Sequence, residues 1–213
     1  FYELDRLGPA QIPYVTAAQL FGISSAGMLA GWSSVARGAL SAAQIKALNI
    51  SSVGVSLLTP TQIGYLSAAQ IQQVKFYELD RLGPAQIPYV TAVQLSSISS
   101  AGMLAEWSTA SLGALSAAQV RALNVAKVRI NSLSPEKISY LSIPQIQSIS
   151  FVDFEYLWPS QISYLTASQL RSMPSSGILS QLSDAAQAAL TREQILSMPL
   201  DYIAHYTRVE GEQ

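Results

Sequence analysis

The side chains best suited to chemistry are few, and most of them recur. Cysteine is absent and His205 is the single histidine. That removes thiolate nucleophiles, disulfides and Cys/His metal sites, and it leaves too little to build a Ser-His-Asp triad. Carboxylates come in pairs two residues apart: Glu3/Asp5, Glu78/Asp80 and Asp153/Glu155. In an extended segment that spacing sets both groups on one side. A calcium ion takes six to eight oxygens, however, and two carboxylates do not supply them. Arg6 and Arg81 also lie beside the first two pairs and can neutralise them. We therefore expect a solvated, partly paired edge, and assign no catalytic residue, no metal ligand and no cofactor. A phosphate-binding loop would need a Gly-rich turn after a strand, and the sequence has none.

The tyrosines are regular. Tyr14, Tyr65, Tyr89, Tyr140 and Tyr164 all close the pattern (Gln or Lys)-Ile-x-Tyr, which places them on one side of a repeating structure. Two uses fit. One is a structural ladder, with rings packed between coils and hydroxyls bonded to backbone. The other is an aromatic binding stripe, because tyrosine gives a large contact area at low entropic cost. Trp158 joins them as a candidate: it stands before Pro159 at a position held by Gly or Thr elsewhere, and is expected to be exposed. Trp32 and Trp107 fall at regularly apolar positions and are read as core.

These residues are carried by a repeat. Residues 1–75 and 76–150 align without a gap, with 49 identities in 75, and a diverged, shorter third copy spans 151–213. A finer period of eight to ten lies inside, as in Leu58, Leu66, Val74, Leu82, Val90 and Ile98. A second apolar residue follows each of these after five positions. A Ser or Thr with Gln three residues later forms a capping box, as in Ser41–Gln44, Thr59–Gln62, Ser67–Gln70, Thr91–Gln94, Ser116–Gln119 and Thr166–Gln169. Pro60 and Pro135 follow such caps, where a missing N–H costs nothing. A cap every eight residues means helices of one to two turns.

A single long helix does not fit. Eight residues at about 100° each overshoot two turns by roughly 80°, so a strict octad keeps no single seam, and the recurring prolines would break it. Isolated short helices are unstable in water, so they must pack on neighbours. Every third unit lacks the Gln, and these third units absorb the length variation, so that successive groups of three units differ slightly in length. The expected fold is an all-α solenoid of short capped helices in one domain over 1–213. Each coil has three sides and about 25 residues, within the usual span of a solenoid repeat, the alternative being a two-helix coil of about 16 residues. The third side is expected to be irregular, 3-10 or extended. Gly27, Gly102 and Gly177 take the Gln position there and are read as sites of close backbone approach or a sharp corner.

Composition narrows the function. Charged residues are 12% and apolar ones 49%, which excludes a disordered tail. Twelve Lys+Arg against 13 Asp+Glu leave no basic excess for nucleic acid. No apolar run reaches the ~18–20 residues that span a bilayer, so neither a nucleic-acid partner nor membrane insertion is expected.

The segments LTPTQIGYLSAAQIQQV and LWPSQISYLTASQLRSM resemble the tandem LSxxQI-type repeats of large bacterial secreted and surface proteins. The short-helix logic is similar to that of the mesothelin and stereocilin superfamily, although the chain lacks cysteine and carries Arg37 where an apolar residue is expected. LTPTQI also looks like the opening of the DNA-reading repeats of plant-pathogen transcription activator-like effectors. That likeness ends after six residues, without the roughly 34-residue period or the base-reading pair. The resemblance implies a secreted or cell-surface scaffold or adhesive stalk, part of a larger polypeptide. It would present its surface to a protein or glycan and could self-associate through exposed solenoid ends. The alternative is the carrier region of a secreted toxin or effector whose activity lies elsewhere.

Overall fold

The computed structural model describes residues 7–74, 78, 82–97, 107–126, 130–173 and 177–202. Among the described residues every regular element is a helix of three to six residues, and there is no strand. The class is all-α.

Local chemistry sets both ends of each helix. All six capping boxes read from the sequence form, with hydroxyl and glutamine each accepting a backbone N–H. Thr16/Gln19, Ser142/Gln145 and Thr191/Gln194 do the same. At the other end several helices stop on the next octad's apolar residue, which is extended: Leu48, Val74, Leu123 and Ile149 have ψ of 139°, 128°, 137° and 132°. One residue therefore ends a helix, enters the core and leads into the following cap.

The expected irregular third side is corrected in part. In third units Ala26–Ala30, Ile50–Val53, Phe151–Glu155 and Gly177–Gln181 are α-helices, whereas Ile130–Ser132 is a 3-10 turn as expected. The first units, expected to be capped helices, also hold 3-10 turns, at Ile12–Tyr14 and Ile87–Tyr89. Pro13 and Pro88 have no N–H for the α-helical bond to the residue four positions back, so these turns tighten.

The apolar octad positions form one core. Ile12, Leu20, Ile45, Ile63, Ile87 and Ile138 are fully buried within it. Helices pack on helices far away in sequence: Ala17–Phe21 on Ala42–Ala47, Ala92–Ser96 on Ala117–Ala122, Pro135–Ile138 on Pro159–Ile162, and Ala167–Arg171 on Arg192–Ser197. Each of these partners stands one group of three units further along the chain.

One step is shorter. Ala68–Gln73 packs on Ile50–Val53, which lies only two units back. The ten-residue segment 48–57 explains it. After its helix, Val55 is buried and its carbonyl accepts from Leu58 N–H, so residues 55–57 make a separate three-residue turn. The 3-10 turn Ile130–Ser132 occupies the matching place in the second sequence copy. Residues 55–57 thus add a short turn between the helices Ile50–Val53 and Pro60–Ile63.

Candidate functional site

The most elaborate side-chain geometry belongs to the capping glutamines. Gln94 Oε1 accepts from Thr91 N–H at 2.7 Å, which is its capping role. Its Nε2 also donates to the carbonyls of Ile63 at 2.8 Å and Leu66 at 2.7 Å. Those carbonyls lie at a helix end, where α-helices leave acceptors unfilled. Gln94 is buried.

The arrangement recurs. Gln44 reaches Ile12 and Val15, Gln119 reaches Ile87 and Val90, Gln169 reaches Ile138 and Leu141, and Gln194 reaches Ile162 and Leu165. Gln62, Gln86 and Gln161 do likewise in first units. Sequence reasoning found the Oε1 role and missed the Nε2 role. The signal was present: a capping box accepts Glu as readily as Gln, yet the units use Gln. Only an amide both accepts at the cap and donates across to a carbonyl.

Other units depart. Ser111 Oγ donates to Leu82 carbonyl at 2.8 Å, a shorter reach to the same kind of acceptor. Ala36 and Ala186 fill the equivalent place with a methyl and are fully buried. Lys137 is buried there too, with Nζ 5.1 Å from the Tyr140 ring centre. Arg37, beside Ala36, donates to the carbonyls of Ala30 (3.2 Å) and Trp32, covering helix-end acceptors in its own neighbourhood.

The five tyrosines do not share one side. The helix Pro60–Ile63 rests, through Gln62, on the carbonyls of Arg37 and Leu40. Leu40 leads into Ala42–Ala47, which packs on Ala17–Phe21. The stack under Tyr65 therefore runs to Ala17–Phe21 and not to Tyr14. Tyr65 follows the helix Pro60–Ile63, which packs on the turn Ile87–Tyr89, and Tyr140 and Tyr164 follow the helices Pro135–Ile138 and Pro159–Ile162, which pack on each other. The cause is the shorter step after the ten-residue segments. Gln70 and Gln145 reach back 25 and 22 residues, whereas Gln44 and Gln119 reach back 32 and 29.

The ladder of backbone-bonded hydroxyls is also corrected. Tyr14 is 84% exposed, and Tyr89 and Tyr164 are about half exposed, while Tyr65 and Tyr140 pack partly on the core. Of the five hydroxyls, only that of Tyr140 has a partner among the described residues, donating to Glu136 Oε1. That bond, reinforced by partial desolvation and the carboxylate charge, raises the Tyr140 pKa above its usual value. The tyrosine that does bond backbone is Tyr202, whose buried hydroxyl donates to Met173 carbonyl at 2.7 Å. It lies in the diverged end segment, outside the pattern that singled out the others.

Trp158 is exposed, and its backbone N–H donates to Gln161 Oε1 at 2.8 Å. Trp32 and Trp107 are buried, and their indole N–H groups find no acceptor among the described residues.

Asp153 and Glu155 sit on the helix Phe151–Glu155 and not on an extended edge. Two residues of helix turn roughly 200°, so their carboxylates point apart. Asp153 accepts from Ser150 Oγ at 2.6 Å and serves as a cap partner. Glu3, Asp5, Asp80, Arg6, Arg81, Gly102 and His205 lie outside the described residues. No group of three or more His, Cys, Asp or Glu gathers among the described ones. Gly27 makes no close approach, since an added Cβ would meet only Ser25 Oγ at 3.9 Å. An open groove of ≈ 710 Å³ runs past Phe21, Lys46, Asn49 and Gln73, with one cation and no paired titratable groups. No helix among the described residues is long and apolar enough to cross a membrane. No protein-family model matches the chain, and comparison with curated proteins finds no match.

Proposed function

We propose that the chain is a solenoid of short capped helices, three sides to a coil, that acts as a scaffold or adhesive stalk and works by binding rather than by catalysis. The observation that carries this reading is the set of glutamine amides that each tie a helix to carbonyls 22–32 residues earlier. Such bonds run between successive coils and make each coil depend on its neighbours, which is the energetic logic of a solenoid. The likeness to LSxxQI-type surface repeats fits it.

The surface offered to a protein or glycan holds Tyr65 with Tyr89, and Tyr140 with Tyr164 beside Trp158, as two aromatic sets instead of one stripe. Tyr14 stands apart from both. Small-angle scattering tests the architecture: the expected particle is elongated, with a cross-section of nearly constant radius, and a spherical particle would refute it. Capture of surface proteins or glycans on the immobilised chain tests the binding role. Replacing Tyr140, Trp158 and Tyr164 by Ala is expected to reduce capture.

A further inference from the structure

In the middle sequence copy, two departures from the glutamine rule meet on one helix. Thr109–Gly113 is tied to the coil before it by a single bond, from Ser111 Oγ to Leu82 carbonyl. On its other side Lys137 stands where a glutamine would reach the carbonyls of Leu112 and Leu115, the places matching Arg37 and Leu40 in the first copy. No side-chain donor among the described residues reaches either carbonyl. The next helix, Ala117–Ala122, has four such bonds: Gln119 donates to Ile87 and Val90, and Gln145 donates to the carbonyls of Val120 and Leu123. The first-copy counterpart of the weakly tied helix, Ser34–Gly38, still receives Gln62 at Arg37 and Leu40.

The same unit carries a second cost. It begins at Trp107, which is buried with an indole N–H that finds no acceptor among the described residues. A buried donor left unpaired destabilises the closed state and regains a partner, water, when the site opens. Within themselves the two helices are alike. Leu112 N–H donates to Ser108 carbonyl and Val120 N–H to Ser116 carbonyl, both at 2.9 Å, and Ser108 and Ser116 each cap the third residue of their helix. They differ in what ties them to other coils. A solenoid takes much of its stability from such interfaces, and parts with few long-range bonds open first. We infer that Thr109–Gly113 is an opening point built into the fold: together with Trp107 it undocks while the amide-tied helices stay stacked, so that the scaffold yields at one helix without unravelling.

The inference rests on the solenoid reading, and the test separates the two. Native-state hydrogen exchange of the full chain, read by NMR, compares the amides of Leu112 and Val120, whose local bonds match. Leu112 is expected to be protected about tenfold less, or lower still, the effect of losing one or more net hydrogen bonds. The variant Lys137→Gln supplies the missing amide on one side and is expected to raise protection at Leu112 while leaving Val120 unchanged. The variant Gln119→Ala removes two of the four ties on the next helix and is expected to lower protection at Val120. Wild-type protection at Leu112 equal to or above that at Val120 overturns the inference. So does a Lys137→Gln chain in which Leu112 does not change, or in which both amides shift together. If Gln119→Ala leaves Val120 as protected as in the wild type, the amide bonds do not hold the coils together, and the solenoid reading itself fails whatever Leu112 shows.

Discussion

Gln94 and Leu66 are 28 residues apart in the chain, and the Nε2 of the first lies 2.7 Å from the carbonyl oxygen of the second. The same side chain holds the start of its own helix through Thr91. A five-residue helix such as Ala92–Ser96 is far below the length that is stable alone in water. One amide therefore couples the start of that helix to the packing that makes it stable.

This coupling makes Gln94 more important than the hydroxyl it partners. Gln94→Ala deletes one capping bond and two buried long-range bonds, and is expected to cost about 2–4 kcal/mol. Thr91→Ala deletes only a cap acceptor and should cost about 1 kcal/mol. Urea denaturation followed by circular dichroism gives both values. Equal losses would mean that the bonds to Ile63 and Leu66 contribute nothing net.

Gln94 also shows what was legible in the sequence. The box Thr91–Gln94 announced the helix start, and the octad announced which residues would be buried; both are local rules of spacing. Which carbonyl Nε2 would reach was not legible, because it depends on how far the chain travels before returning. That distance is set by segments such as 48–57, whose Val55 looks like any apolar residue until its turn with Leu58 is seen. The tyrosines were misplaced for the same reason. Their equal local positions were plain, but the short step that moves Tyr65 off the stack of Tyr14 leaves no mark on the tyrosines themselves. Asp153 and Glu155 were misread because an i,i+2 pair converges only on extended backbone, and Ser150 caps that segment into a helix.

Lys137 offers a gain. It replaces the glutamine that at residue 62 accepts from Thr59 N–H and donates to Arg37 and Leu40. Ser134 makes no side-chain cap bond there. Lys137→Gln restores an amide able to cap Ser134 and to reach the matching carbonyls of Leu112 and Leu115. It should stabilise the chain by about 1–2 kcal/mol. A lower melting temperature would show instead that the contact of Lys137 with the Tyr140 ring outweighs two amide bonds.

Gly54 is the one described residue with positive φ, 73° with ψ 165°. That region is close to glycine-only. A Cβ there would also run into the Glu78 carboxylate. Gly54→Ala is expected to destabilise by about 1–3 kcal/mol from the backbone alone, with the clash added. Paired with Glu78→Ala it should recover the clash but not the backbone cost. A double-mutant cycle in urea separates the two parts, and full recovery would mean that the backbone at residue 54 is not strained by a side chain.

Tyr202 gives the fold an alkaline limit. Burial, helped by the charge of Asp201, raises its pKa above 10.0, so the folded state holds the phenolic proton more tightly than the unfolded chain does. The stabilisation is full below the unfolded pKa of about 10 and is lost as pH climbs through the higher folded value. Ionisation would also remove the bond to Met173 carbonyl. Tyr202→Phe lacks both effects: it is expected to lose about 1 kcal/mol at neutral pH and to show a flatter fall in melting temperature above about pH 10. Calorimetric melting of the two proteins from neutral to strongly alkaline pH checks this. Parallel curves would assign the alkaline loss to other groups, of which Tyr140, held protonated by Glu136, is the first to test.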